Sequence, residues 1–382
     1  MYMSFMDDFG KDMSKDKDLD VGNLPSPTYF LHSGSYSLNK LMSGQLAGAL
    51  PQGRLVALGG HSSSGKSLVG ASILAEVINQ GGFGLAIDSE GALDDGYLEG
   101  VGLDPEHPNF KRIGTSMISK CSSTVNKFLK QYRDSGQETP AVVLVDSLDM
   151  LFTDSEAKSI DKDGELGGDQ GQRAKQIKRM LMSWVHIVSK LNVTIVCTKQ
   201  VYVEQDKAKA YGEPWVFTEA LKYAFSQIII FEKLVYKEDT GDKEHLGFTM
   251  KARSYKNRIA KEKQVVKVEV PFDSGLDPYA GLLEIGEQFG VIQKGGAWFS
   301  LTDNPNEKRQ GKKKAEADKE FMLLILEKCL EIDSKQLEVH ADLSEYIAES
   351  DDPSIVDDPK AMKSARAKRK AKGNEGLEDD KD

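Results

Sequence analysis

The chain has 382 residues, a formal net charge of −10, 39% apolar side chains and three cysteines. That is enough apolar material for one large core, and the acidic balance excludes a surface that binds nucleic acid indiscriminately, though not a local basic groove. Cys121, Cys197 and Cys329 are far apart and match no metal spacing, which fits reduced thiols of a cytoplasmic protein; no apolar run has the length of a membrane span, and the start is too acidic for a signal peptide.

Residues 1–28 are polar and patchy. Their composition reads as a disordered tail; the alternative is an arm whose Phe5 or Phe9 docks on a neighbouring subunit. Order is expected from about Tyr29, and Pro51-Gln52-Gly53 forms a turn before the first core strand, residues 54–58. Gly60-His61-Ser62-Ser63-Ser64-Gly65-Lys66-Ser67 then fits G-x-x-x-x-G-K-[ST], and an apolar helix follows from Leu68. Strand, glycine loop and helix together are the context that makes this spacing a phosphate-binding loop. Glycines let backbone N–H groups turn towards a phosphate, and the helix N-terminus adds partial positive charge. Lys66 can reach the outer phosphates of a nucleotide, and the Ser67 hydroxyl can ligate Mg²⁺.

Beyond the loop, apolar strands alternate with helical stretches. Residues 83–87 form a strand ending at Asp88-Ser89-Glu90, and residues 122–132 a helix. Residues 141–145 form a strand ending at Asp146-Ser147, residues 175–191 an amphipathic helix, and residues 193–197 a strand ending at Thr198-Lys199-Gln200. Residues 227–231, 246–251 and 265–270 complete the sheet as a hairpin-like portion. Continuous apolar strands with helical crossovers mean an α/β fold whose mainly parallel, twisted sheet is flanked by helices. Ligands bind at the carboxyl ends of such strands, where Glu90, Asp146 and Gln200 all fall. Residues 303–314 read as a linker, residues 315–337 as a helix with a wide apolar face, and the clusters from about Glu349 as a disordered acidic and basic tail. The expected division is 1–34 as an N-terminal arm, partly disordered, 35–302 as the core, and 303–382 as a small helical region with its tail.

The chemistry follows from these positions. Asp146, at the end of an apolar strand, is the acid expected to hold Mg²⁺ with Ser67. Glu90, on the adjacent strand end, is placed to polarise a water attacking the terminal phosphate. Gln200 is placed to sense that phosphate and pass the signal to the loop after it.

Ile87-Asp88-Ser89-Glu90-Gly91-Ala92-Leu93-Asp94 followed by Tyr97 resembles the signature after the second core strand of the RecA recombinases. Val143-Leu144-Val145-Asp146-Ser147-Leu148 resembles their metal-binding strand, Tyr255-Lys256-Asn257-Arg258-Ile259-Ala260 their lysine-asparagine-lysine element, and Gln293-Lys294-Gly295-Gly296-Ala297-Trp298-Phe299-Ser300 their closing motif. Residues 272–283 resemble the phage UvsX branch. The likeness spans about residues 35–302, and Arg258 stands where the bacterial family has Lys, keeping charge but not geometry.

The resemblance implies a RecA-like P-loop ATPase core and a homo-oligomeric helical filament with ATP and Mg²⁺ between subunits. Lys66, Ser67, Glu90 and Asp146 would act in one protomer, and Lys256 and Arg258 would reach the γ-phosphate from the next. Tyr97 would stack on adenine, with Asp94 near its amino group. Two loops would face DNA. In the first, residues 153–172, acids outnumber bases, so the useful charge is Arg173 and Lys175 on the following helix. The second, residues 201–217, interleaves Tyr202, Lys207, Lys209 and Trp215, a pattern suited to single-stranded DNA. The implied activity is DNA-dependent ATP hydrolysis coupled to pairing with a homologous duplex and to strand exchange. A recombination mediator and a single-strand-binding protein are partners the resemblance leaves open. Two alternatives stand beside it: a hexameric helicase-like motor on the same core, and a non-catalytic mediator or paralogue.

Overall fold

Chain segments without polar alternation end up as strands covered on both faces, and the sheet follows that rule. The computed structural model describes residues 5–15, 27, 29–163, 170–203, 215–235, 246–272 and 274–349. Helix α1 (Phe5–Met13) comes first, then α2 (Tyr36–Ser43), which Ser35 caps through its hydroxyl and Gly44 ends in a left-handed conformation, φ 81°. Strand β1 (Leu55–Gly60) leads through the glycine loop into α3 (Lys66–Asn79), followed by β2 (Phe83–Asp88), α4 (Asp95–Gly100), β3 (Phe110–Gly114) and α5 (Ile118–Asp134). Strand β4 (Ala141–Asp146) gives way to a 3₁₀ turn (Leu148–Met150), α6 (Asp154–Asp163), α7 (Gln170–Val188) and β5 (Val193–Gln200). After α8 (Glu219–Lys222) come β6 (Gln227–Val235), β7 (Gly247–Asn257) and β8 (Val265–Pro271).

These eight strands form one sheet in the order β8-β7-β6-β1-β5-β4-β2-β3. From β6 to β3 every pairing is parallel; β7 and β8 extend the β6 edge antiparallel. Alternate residues feed two cores. Val56 and Leu58 of β1 join the one containing Val69, Ile73 and Leu74 of α3. Leu55 and Ala57 join the other, with Val125 and Leu129 of α5 and Leu181 and Trp184 of α7. Burying each such aliphatic side chain is worth about 1.5–3 kcal/mol, and the paired cores hold the carboxyl ends of β1, β2, β4 and β5 along one edge.

Past the sheet, α9 (Leu282–Gln288) precedes a three-stranded antiparallel sheet of β9 (Ile292–Gly295), β10 (Trp298–Leu301) and β11 (Lys308–Gln310). Then come α10 (Lys312–Ala317) and α11 (Lys319–Glu349). By compactness the chain divides into Met1–Ile325 and Leu326–Asp382. Among the described residues no helix is long and apolar enough to cross a membrane.

Several expectations change. Residues 303–314 are not a linker: Lys308–Gln310 pairs with β10, so the boundary expected after residue 302 falls within one small sheet. The helix expected over 315–337 is two helices, broken at Asp318, whose carboxylate accepts the Phe321 N–H at 3.0 Å and a guanidinium bond from Arg309 at 2.6 Å. The N-terminal segment holds a helix that leaves Phe5 and Phe9 exposed, their rings 6.4 Å apart. Part of the first loop expected to face DNA, Asp154–Asp163, is helical, because Thr153 and Glu156 cap each other: the Thr153 N–H donates to the Glu156 carboxylate at 2.7 Å and the Glu156 N–H to the Thr153 hydroxyl at 3.2 Å. The tail from residue 350 lies outside the described residues.

Candidate functional site

Strand β1 delivers the glycine loop to the carboxyl edge of the sheet. A Cβ at Gly60 would run into Ser64 Oγ and stand 2.6 Å from the Phe231 carbonyl oxygen, while Gly65 has φ 99° and a Cβ there would meet Met250 Sδ at 2.7 Å. A side chain at either position would collide with the packing that holds the loop in place. His61, Ser62 and Ser63 are exposed, and Ser64 is buried with a hydroxyl that has no hydrogen-bond partner among the described residues. Lys66 opens α3 almost wholly buried and donates from Nζ to the His61 carbonyl at 2.8 Å. Burial holds its pKa below the usual lysine value, against the pull of Asp146, Glu90 and Asp149. An ammonium desolvated in this way gains much from an arriving anion.

Asp146 ends β4 in register with Asp88 of β2. One carboxylate oxygen accepts the Thr198 hydroxyl, and the Ser67 hydroxyl lies beside the side chain; the other oxygen is buried with no partner among the described residues. Burial pushes its pKa up, with Glu90 and Asp88 adding to the rise and the two hydroxyls opposing it. A hydroxyl beside a half-satisfied carboxylate is a hard-oxygen donor set that fits Mg²⁺. Among the described residues no group of three His, Cys, Asp or Glu side chains could hold a metal alone. A cation here would take the rest of its shell from water or phosphate oxygens.

Glu90 is presented by a loop wrapped around a buried carboxylate. Asp88 Oδ1 accepts the N–H groups of Glu90 at 3.1 Å, Gly91 at 2.7 Å and Ala92 at 3.3 Å, and Oδ2 accepts that of Leu93 at 3.1 Å. The exposed Glu90 side chain receives the Ser147 hydroxyl at 2.5 Å, which ties it to the residue after Asp146. Asp94 caps α4 by accepting the Tyr97 N–H at 2.8 Å. Arg112 of β3 holds the same loop through the Leu93 carbonyl and Asp95. Tyr97 lies half-buried against the α3 core, and burial, then the charge of Asp146, raises its pKa to about 12. Gln200 ends β5 opposite Gly60, its side chain exposed and its N–H given to Asp149 Oδ2 at 2.6 Å.

Lys256 and Arg258 lie elsewhere. In register, Lys256 stands opposite Ile228, which stands opposite Ala57, three residues before Gly60. That puts Lys256 roughly 10 Å down the sheet and two strands across from its own glycine loop. Its ammonium donates to the carbonyls of Lys222 at 2.5 Å and Phe225 at 2.8 Å, and its pKa is lowered by burial and then by Arg258. Arg258 is exposed in the turn that Asn257 organises by accepting the Ile259 and Ala260 N–H groups.

The residues expected to meet DNA divide in two. Arg173 turns inward, donating to the Asp149 carbonyl and lying 5.4 Å over the Phe152 ring, because a guanidinium there satisfies a carbonyl of the 3₁₀ turn. Lys175 is exposed, and so is Tyr202, at 60%. Tyr202–Val203 pairs antiparallel with Trp215–Val216, closing the base of the second loop. Lys207 and Lys209 lie outside the described residues. Reading the sequence left Asp88, Arg112 and Asp149 without roles. Only Asp88 carried a signal, an acid at a strand end just before Ser-Glu-Gly, where exposed amides need an acceptor.

Comparison with known proteins adds an independent finding. The family model described as the RecA N-terminal domain matches residues 8–277. Protein RecA of Streptococcus thermophilus is 28% identical over 364 residues, covering 91% of this chain and 86% of its own length. Protein RecA of Thermus aquaticus is 26% identical over 316 residues, covering 80% and 85%. Protein RecA of Wolinella succinogenes is 27% identical over 275 residues, covering 71% and 73%.

Proposed function

The chain belongs to the RecA family, and from that premise we propose that it is a DNA-dependent ATPase that forms a helical filament on single-stranded DNA and exchanges that strand with a homologous duplex. Residues 272–283 support a place in its phage, UvsX-like branch. The observation that carries the reading is the split of the site between the two ends of the sheet. Lys66, Asp146, Glu90 and Gln200 meet at the carboxyl edge around the glycine cradle, whereas Lys256 and Arg258 lie towards the other end.

ATP fits the cradle of residues 60–67, with backbone N–H groups turned to its phosphates and the Lys66 ammonium on the outer pair. Ser67 and Asp146 would hold Mg²⁺, which would supply neutralisation of phosphate charge. Glu90, steadied by Ser147 and by the Asp88 loop, orients the attacking water and takes its proton. Asp94 and Tyr97 line the base-binding side. The partner subunit's Lys256 and Arg258 add positive charge to the γ-phosphate when protomers stack, so turnover depends on assembly. Gln200 relays the state of that phosphate into the second DNA loop, where Tyr202, Lys207, Lys209 and Trp215 contact the strand, with Lys175 nearby. Sequence is read by base pairing, so the groove stays neutral to it.

Electron microscopy with ATP and single-stranded DNA, combined with a strand-exchange assay, tests the reading. Helical filaments and exchanged strands are expected, with DNA-stimulated hydrolysis. Closed rings that unwind duplex, or no assembly and no stimulation, would overturn it.

A further inference from the structure

Asp149 sits in the 3₁₀ turn three residues past Asp146 and is engaged three ways at once. Its Oδ1 accepts Lys199 Nζ at 2.5 Å, its Oδ2 accepts the Gln200 N–H at 2.6 Å, and its backbone carbonyl accepts the Arg173 guanidinium. The ion pair is largely out of water, with 8% of the Lys199 side chain and 19% of the Asp149 side chain exposed.

The sheet explains why an acceptor is needed here. The pairing of β4 with β5 ends at Val145 and Cys197, because β4 stops at Asp146. Strand β5 runs three residues further, to Gln200, with β1 still beside it. A backbone N–H left without a strand neighbour must find another acceptor, and the carboxylate that follows β4 supplies one. The same residue thereby joins three segments: the end of β5 beside Gly60, the start of the second predicted DNA loop at Val201, and the first turns of α7, which follow the first loop.

We propose that Asp149 is a positioning residue that couples the DNA loops to the nucleotide end of β5, by fixing the Gln200 backbone in register with Gly60. The coupling rests on the DNA-dependent ATPase reading above; the positioning does not. Two features of the carboxylate separate its roles. A carboxamide can still accept the Gln200 N–H but cannot pair with the Lys199 charge, and Lys199→Met removes the ion pair while leaving the acceptor.

The experiment compares Asp149→Ala, Asp149→Asn and Lys199→Met with the parent. ATP turnover is measured with and without saturating single-stranded DNA, alongside amide exchange at Gln200 in the DNA-free protein and thermal melting. In Asp149→Ala basal turnover should persist, DNA stimulation should fall by about tenfold, in line with the loss of a hydrogen bond to a charged acceptor, and the Gln200 amide should lose protection. Asp149→Asn should recover most of the stimulation and the protection, and Lys199→Met should lower the melting temperature with stimulation kept. Full stimulation in Asp149→Ala, or an Asn variant as defective as the Ala variant, overturns the assignment. A parent whose turnover ignores DNA overturns the coupling together with the reading beneath it. Exchange at Gln200 still judges the positioning in that case: unchanged protection in Asp149→Ala refutes it, and lost protection that Asn restores supports it.

Discussion

At the carboxyl ends of β1, β2, β4 and β5 the molecule gathers a buried lysine, two carboxylates and a glutamine around a glycine cradle; at the end of β7 and the turn after it stand Lys256 and Arg258. Each corner carries an unrelieved electrostatic cost. Lys66 is desolvated, and Asp146 has one buried oxygen without a partner among the described residues. Lys256 is desolvated and repelled by Arg258 and Lys222, with Glu262 opposing. A phosphate chain with its cation would relieve the first corner, and an anion offered by a neighbour would relieve the second. On the proposed reading these are two complementary halves of one site, and the fold of a single protomer keeps them apart.

The largest effect expected is on turnover. Lys256→Ala combined with Arg258→Ala should lower ATP hydrolysis by about 10³–10⁵ with nucleotide binding kept, the range of a cation supplied across a subunit seam. Glu90→Gln should lower it by about 10²–10⁴. Mixing the two inactive proteins should restore turnover, because some seams then pair an intact cradle with intact cations. If both assemble and no mixture hydrolyses ATP, the two corners do not share a site.

A smaller effect sharpens the carboxyl corner alone. Tyr202→Ala should weaken single-stranded DNA binding by about 1–3 kcal/mol if the exposed ring stacks on a base, read by fluorescence anisotropy at fixed salt. Lys175→Ala should instead reduce the salt slope by about 0.7, as for one lost phosphate contact. Identical isotherms for parent and variants would remove both residues from the groove.

The smallest effect concerns stability. Burial raises the Asp146 pKa, so the folded chain favours its protonated form. Its stabilising contribution is complete below the ordinary carboxylate value and is lost as pH rises through the raised one. The ligand-free protein should therefore melt lower as pH climbs through that window, and Asp146→Asn should flatten the fall and melt higher at neutral pH. An Asn variant with the parent's pH slope would show that this carboxyl is not the source.

Legibility in the sequence tracked the range over which a signal acts. Residues 141–145 are apolar throughout and rich in β-branched valine between Pro140 and Asp146, which reads as a strand covered on both faces, and the spacing of Gly60, Gly65, Lys66 and Ser67 states its chemistry within eight positions. Strand β3 has no sequence signal because only Phe110 of its five residues is buried; Lys111 and Arg112 at an exposed edge carry no apolar pattern. Helix α6 was hidden because its acids read as a loop, while the reciprocal Thr153 and Glu156 cap supplies what apolar periodicity did not. Arg173 looked like a free cation for DNA, and only the carbonyl of Asp149, 24 positions earlier, accounts for its direction.

From the sequence alone came the order of the apolar core strands and the helices between them, except β3, α4, α6 and α8, together with the phosphate-binding character of residues 60–67 and the acids at the strand ends. Each of these depends on side-chain periodicity or on turn chemistry confined to a few neighbouring residues. Only the tertiary structure decided that Asp88 gathers four backbone amides, that Asp149 reaches Lys199 and Gln200 about fifty positions away, and that Lys256 faces away from its own cradle. Those outcomes depend on which strands lie side by side and where each one stops, and local spacing does not encode that.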